Sequence, residues 1–554
     1  MFQRTDLTEL EVFTAVGSIP IQDTLALRAW LHPDKKLFTF LDDEGEESDK
    51  FTYLELWQRA RSVADYLISR TESGDRVLLF FPQGLDFIAA FFGCLLANRI
   101  AVPVNTPNRN RVERCVGIIK NCGANVAMGP QKTFDKIASA FNGTDAANLE
   151  WLIAEDIPFS RRVPKLGDFR SNTNFSDVAF LQYTSGSTAS PKGVMVTYQN
   201  IAVNHQMMRD TSSLNAETDM VSWQPHHHDL GLIVGQLLPV FLGNHTVIMS
   251  PNTVVRQPII WLQAISRYRA KFSGGPNFIY DLAVTRYSEK RMKDIDLSCW
   301  DIAPNGADVV RSTTIDRFAS IYKKHGFKKE AFMPSYGLAE ATLLVACGLV
   351  KGVPKNIMVD KHELEANRKV VETSDREIGR VLVGNGLPNW ETEIAIVDPG
   401  TCRELGMNDV GEIWVSSRAI AVGYWGNEEA TQHTFHGVID TVPHKRFMRT
   451  GDIGFIGDEN ELYICGRLKD LIICEGRNLH PEDIEYTIVE ATDKLKPQSC
   501  AVFSYDKDDQ RQAMVAIIET DRDLKRTLAE QASELRSTIV QSVTYAHGIG
   551  LNQI

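Results

Sequence analysis

Tyr183-Thr184-Ser185-Gly186-Ser187-Thr188-Ala189-Ser190-Pro191-Lys192-Gly193 follows the apolar run Val178–Gln182. A strand ending in a loop of small, hydroxylated residues places that loop at a strand's carboxyl end, where α/β sheets bind ligands. Small residues let backbone N–H groups close on a polyphosphate. The hydroxyls of Thr184, Ser185, Ser187 and Thr188 add donors around Gly186, and Lys192 supplies a compact positive charge. The pattern is not G-x-x-x-x-G-K-[ST], which disfavours a P-loop nucleoside triphosphatase. A plain surface loop would not explain the closing Pro-Lys-Gly together with the preceding strand.

Working outward, the segments before the loop alternate. Tyr53–Arg70 has helical apolar spacing, Asp75–Phe81 is a strand-like run, Ala89–Asn98 is helical, and Ala101–Val104 starts another strand. Further strands are expected at Asn125–Met128 and Trp151–Ile153. This alternation predicts an α/β fold with parallel strands. Between Val350 and Arg376, twelve of 27 residues are charged or histidine, which predicts a surface insertion without a strong apolar strand. Glycine and charge then cluster at Gly466-Arg467-Leu468-Lys469-Asp470, which suits a hinge. Strands at Cys500–Ser504 and Ala513–Glu519 and a helix at Leu524–Val540 predict a small α+β unit. The expected division is a large domain over 1–465 and a small one over 466–554.

Composition bounds the class. The 554 residues are 43% hydrophobic and 23% charged, ordinary for a globular chain of more than one domain. A net charge of −12 argues against a general nucleic-acid binder. The nine cysteines show no C-x-x-C pair and read as reduced thiols of a cytoplasmic protein. Met1–Glu9 lacks a signal-peptide core, and the most apolar stretch, Val77–Val104, is interrupted by Asp86 and Arg99. Its uncharged run is short of the roughly twenty residues a bilayer span needs, so a buried helix is expected there rather than a transmembrane segment. There are no repeats and no carrier-domain signature.

The Tyr183–Gly193 loop resembles the phosphate loop of the adenylate-forming superfamily, and further stretches fall in that family's order. Asn305-Gly306-Ala307 resembles the adenine-pocket segment, and Ser335-Tyr336-Gly337-Leu338-Ala339-Glu340 the aromatic-Gly-x-x-Glu motif. Arg449-Thr450-Gly451-Asp452 is similar to the ribose-binding segment, and Gly466–Asp470 to the hinge motif. The resemblance implies that Tyr336 stacks on adenine and that Glu340, with Thr184, holds Mg²⁺. It also implies that Asp452 binds the ribose hydroxyls of ATP, that Arg467 reaches the nucleotide, and that Lys469 is the pivot. Taken singly, Glu340 could be a helix-terminal carboxylate, Asp452 a turn residue and Tyr336 plain core. Their order and their chemistry together outweigh those readings.

Gln224-Pro225-His226-His227-His228-Asp229-Leu230-Gly231-Leu232 narrows the family. Adjacent histidines diverge on any regular element, and no H-E-x-x-H or cysteine partner supports zinc. The stretch resembles the His-His-Asp-Met-Gly-Leu segment of fatty acyl-AMP ligases, with Leu230 replacing methionine. That implies His228 meets the carboxylate or phosphate region. Ser273-Gly274-Gly275-Pro276-Asn277-Phe278 resembles the same subfamily's acyl-pocket strand, which implies that Gly274, Gly275, Pro276 and Asn277 line an acyl site. Val350–Arg376 falls where these ligases carry an insertion relative to acyl-CoA synthetases.

The function so implied is ATP-dependent activation of a fatty acid to an acyl-adenylate. The acyl group then passes to the phosphopantetheine thiol of a holo-acyl carrier protein. An acyl-CoA synthetase and a non-enzymatic ligand-binding homologue are the alternatives. Two departures stand out. Asp308 replaces the usual Glu, and no lysine follows Lys525, where the superfamily places its adenylation lysine in a C-terminal loop. The second implies a slowed adenylation step and a truncated small domain.

Overall fold

The computed structural model describes residues 17–107, 112–169, 171, 173–184, 191–474, 477–492, 494–496, 499–506, 512–520 and 522–554. A six-stranded sheet runs in the order Glu150–Ile153, Val126–Gly129, Arg76–Leu79, Ile100–Pro103, Val178–Tyr183, Gly193–Thr197. All neighbours are parallel except the last pair, which is antiparallel. The expected alternation is therefore present, because strands buried on both faces read as continuous apolar runs.

Helix Tyr53–Ile68 begins at Thr52, whose hydroxyl accepts from the Glu55 N–H while Glu55 returns a bond to the Thr52 N–H at 2.8 Å. This capping box satisfies two donors that a helix start leaves unpaired. Helix Leu85–Leu96 packs against it, and almost every residue is buried, as the apolar run predicted. No helix among the described residues is long and apolar enough to cross a membrane.

A second sheet, Glu47–Thr52, Lys36–Leu41, Thr246–Ile248, Met220–Ser222, continues through bridges at Phe272 toward Ala303–Asn305 and Phe332–Gly337. A third, wholly antiparallel, orders Glu393–Val397, Gly411–Ser416, Met448–Ile456 and Leu462–Arg467. The C-terminal unit packs helices Pro481–Glu490 and Arg522–His547 on the hairpin Cys500–Asp506/Gln512–Ile518 around Ile484, Ile488, Met514, Ile539 and Val543. Its long helix runs seven residues beyond the expected end at Val540.

Three expectations need correction. The 350–376 segment does contain a strand, Asn356–Asp360, paired antiparallel with Gly379–Val383. Val359 and Leu364 are buried with Leu382, Val410 and Phe455, so the segment is anchored in a core of its own rather than lying wholly on the surface. Its apolar run, Ile357-Met358-Val359, is only three residues long and is flanked by Lys355, Asp360 and Lys361, which masked it in the sequence. Ser273–Phe278 is not a strand. Phe272 makes only isolated bridges, and Pro276 caps a helix, Asn277–Thr285, since proline's fixed φ suits a helix start. Finally, strand Leu462–Arg467 crosses the expected boundary at 465, and the chain turns at the 3₁₀ segment Leu468–Asp470.

Candidate active site

The sheets enclose a cavity of about 1040 Å³. Its polar end collects Thr184, Lys192, His228, Tyr336, Glu340, Asp452, Arg467 and Lys469, from segments spread over almost 300 positions of sequence. Gly306, Ala307, Ser335 and Gly337 line it as well. Asn305 does not; it is buried behind the wall, where its amide donates to Asn277 Oδ1 at 3.2 Å. Asn277 also accepts from the Arg311 N–H at 3.1 Å and donates to the Val309 carbonyl at 2.8 Å. Of Gly274, Gly275, Pro276 and Asn277, only Gly275 reaches the cavity. Ser185, Gly186, Ser187 and Thr188 lie outside the described residues.

Two linked clusters organise the polar end. In one, Lys192 Nζ lies 4.9 Å from the centre of the Tyr424 ring, and the Tyr424 phenol donates to Glu340 Oε1 at 2.8 Å. Glu340 sits in the short turn Ala339–Ala341, tied down by the Ala421 N–H donating to its carbonyl at 2.9 Å. In the other, the Tyr336 phenol donates to Asp452 Oδ2 at 2.7 Å, and Arg467 Nε stands 3.3 Å from Asp452 Oδ1. Burial pushes the Asp452 carboxyl above its ordinary range, and Arg467 and the phenol pull it partly back. Behind this pair, Arg449 bonds Glu412 at 2.9 Å, and Glu412 Oε1 accepts from the Gly451 N–H at 3.2 Å. Glu412 thus shapes the turn that presents Asp452. Gly306 is required by packing, since a Cβ there would lie 2.4 Å from the Ser335 carbonyl oxygen.

The three histidines diverge as adjacent residues must. His226 stacks on Phe87 with ring centres 4.0 Å apart, and its Nδ1 meets Gln83 Oε1 at 2.8 Å. Burial holds it neutral, its pKa pushed down to about 3, and burial likewise lowers His227 to about 4. His228 faces the cavity, with Nδ1 2.6 Å from Asp229 Oδ1. Burial pulls its pKa down, but the charge and hydrogen bond of Asp229, helped by Asp308, outweigh this, and the net shift is upward.

The far end is apolar: Met208, Leu214, Val234, Leu238, Met333 and Leu344 line it. They come from helix Tyr198–Ser212 and the loop after it, the π-helix Leu230–Leu237 and the helix that continues it, and the strands around Met333 and Leu344. No motif marks these residues, nor Tyr424, Glu412 and Arg114, whose guanidinium donates to the Thr184 carbonyl at 2.7 Å. Only folding assembles them. The enclosure joins charged and polar side chains to a hydrocarbon lining within one cavity.

Comparison with known proteins agrees. Residues 26–425 match the AMP-binding enzyme family model. The chain is 35% identical over 538 residues to a medium-chain-fatty-acid–[acyl-carrier-protein] ligase of Moorena producens, covering 95% of this chain and 89% of that one. A 4-hydroxyphenylalkanoate adenylyltransferase of Mycobacterium tuberculosis is 34% identical, with 95% and 87% covered. Among solved structures, a fatty acyl-adenylate ligase from Legionella pneumophila, in complex with acyl adenylate and pyrophosphate, superposes with a TM-score of 0.78 at 36% identity, covering 96% of this chain and 91% of that one. With its phosphate-loop strand, its Tyr336–Glu340 turn and its Asp452 pocket on one cavity, this chain belongs to the AMP-binding, adenylate-forming enzymes, within their fatty acyl-AMP ligase branch.

Proposed function

We propose that the protein activates a fatty acid with ATP, releasing pyrophosphate, and passes the acyl group to the phosphopantetheine thiol of a holo-acyl carrier protein in the cytoplasm. The observation that carries this reading is the junction, within one cavity, of the Lys192–Glu340–Asp452 pole and the Met208–Leu344 chamber. A hydrocarbon tail gains about 0.8 kcal/mol per buried methylene, so ten methylenes supply about 8 kcal/mol before ordering costs. The chamber holds the tail while the polar end positions the head.

In the first half-reaction a carboxylate oxygen attacks the α-phosphorus in line and pyrophosphate leaves. Positioning and charge neutralisation dominate such a step. Lys192 offsets the charge of the polyphosphate, Asp452 accepts from the ribose hydroxyls, and the Tyr336 ring stacks on adenine. Glu340 and Thr184 offer the hard oxygen donors that suit Mg²⁺, which when bound would neutralise phosphate charge. Arg467, just before the turn at Leu468–Asp470, and Lys469, within it, couple the nucleotide to the small domain, taken as the residues after that turn.

The 350–376 segment braces that unit. Arg477 bonds Glu365 at 2.8 Å, Asn478 donates to the Glu365 carbonyl at 2.9 Å, and Lys361 donates to the Ala546 carbonyl at 3.3 Å. These contacts restrain the rotation that thioester formation on free CoA would need. Incubation with ATP, fatty and arylalkanoic acids of graded length, and either CoA or holo-carrier tests the whole reading. Pyrophosphate release with transfer to the carrier is expected; efficient transfer to CoA would contradict it. Deleting Val350–Arg376, or substituting Glu365→Ala with Lys361→Ala where the deletion fails to fold, is expected to raise acyl-CoA formation about tenfold, a loss of restraint of about 1.4 kcal/mol.

A further inference from the structure

The reaction brings a carboxylate against a triphosphate, two anions, so a cation beside the meeting point lowers the barrier most. His228 lines the cavity with Thr184 and Gly306. Its backbone is pinned on both sides, its N–H donating to the Pro225 carbonyl at 3.0 Å and its carbonyl accepting from the Leu232 N–H at 2.9 Å. Its Nδ1 lies 2.6 Å from Asp229 Oδ1, with the Leu230 N–H also 3.4 Å from that nitrogen, so Nε2 is the ring nitrogen left for the cavity.

Asp229 is itself held. It is largely buried, and its Oδ1 also accepts from the Leu230 N–H at 2.6 Å, at the start of the π-helix Leu230–Leu237. Helix starts favour a carboxylate through their unpaired N–H groups, so this side chain is held in place against the His228 ring.

We propose that Asp229 is a positioning residue that keeps the His228 ring cationic and turned so that its Nε2–H donates to the reacting carboxylate or the α-phosphate. This rests on the adenylate-forming reading and adds to it the source of the cation at the reacting centre. No proton is transferred in the step. The imidazolium remains an imidazolium and acts as a charge-assisted donor, stronger than a neutral ring. An isolated imidazole is mostly neutral at pH 7, so the adjacent carboxylate decides the charge state.

The other groups around the ring are consistent with this role. Asp308, on the turn after Gly306, adds a second favourable charge, and it is balanced in turn by Arg311 and Arg467. His227 on the same turn is kept neutral by burial, with Arg114 acting on it from the phosphate-loop side, so it does not compete for a proton. Lys192, Lys469, Glu340 and Asp452 share the cavity.

The test is the full-length Asp229→Asn protein, whose amide oxygen still accepts from Leu230. Histidine ring NMR of the protein without ligands is expected to show His228 losing its proton at lower pH than in the wild type. In ATP-dependent pyrophosphate release, the high-pH limb of kcat is expected to move to lower pH. At pH 8 kcat should fall about tenfold, with KM for ATP within about twofold. His228→Gln should lose at least as much kcat at every pH. An unchanged His228 titration in Asp229→Asn, or an unchanged kcat in His228→Gln, would overturn the proposal. If the wild type releases no pyrophosphate with any acid, the adenylate reading fails, and this proposal about its reacting centre falls with it, whatever the NMR titration reads.

Discussion

At the scale of single residues, Asp452 and Lys192 carry the sharpest expectations. Asp452 is buried, yet two donors, the Tyr336 phenol and Arg467, face its two oxygens. Tyr336→Phe keeps the aromatic ring and removes one donor to a buried charge. It is expected to cost about 1–3 kcal/mol of stability, read by denaturant unfolding, while keeping the ring proposed to stack on adenine. Lys192→Met removes the cation beside Tyr424 and Glu340. It is expected to lower pyrophosphate exchange by about 100-fold at unchanged fold, since one preorganised charge at a developing anion is worth that much. These residues were legible in the sequence because each stands in a short motif whose chemistry is local. Glu412, which braces the turn before Asp452, was not, because a lone glutamate on a strand looks like any surface carboxylate until the fold buries it against Arg449.

At the scale of elements, the chamber is built where a fifteen-residue helix, Tyr198–Ser212, meets the π-helix Leu230–Leu237. The wider winding lets Gly235 approach the Ser222 hydroxyl so closely that a Cβ would lie 2.3 Å away, and such segments recur at functional sites. Met208 and Val234 both line this chamber. Met208→Trp is expected to shift the preferred acid to a shorter chain, read as pyrophosphate release across a graded series, at an overpacking cost of about 1–3 kcal/mol. Strands and helices were legible as periodicity, including the strand before the phosphate loop. The Ser273–Phe278 segment was not, since a resemblance cannot show that Pro276 starts a helix and turns Asn277 away from the cavity.

At the scale of the molecule, charge crosses the boundary between the large and C-terminal parts. Arg380 meets Asp483 at 2.9 Å and donates to the Cys465 carbonyl, and helix Pro481–Glu490 also places Tyr486 against Thr313 and Glu490 against Arg317. Fully buried His205, whose pKa burial lowers from 6.5 to about 3, sets a whole-molecule property. Its proton affinity is lower folded than unfolded, so its contribution is fully present above about pH 6.5 and is lost as pH falls toward 3. His205→Gln is expected to flatten the acid limb of thermal stability by at most about 1.4 kcal/mol per pH unit, measured by unfolding at stepped pH. The sequence by itself determined the order of motifs, the α/β alternation and several of the polar residues that line the cavity, because those depend on neighbours within a few residues. Only the tertiary structure decided the hydrocarbon chamber, the anchored strand at Asn356–Asp360 and the His228–Asp229 geometry within the cavity. Burial and charge pairing between distant segments exist only once the chain has closed on itself. The Tyr183–Gly193 stretch named the chemistry, while the fold chose what stands opposite it.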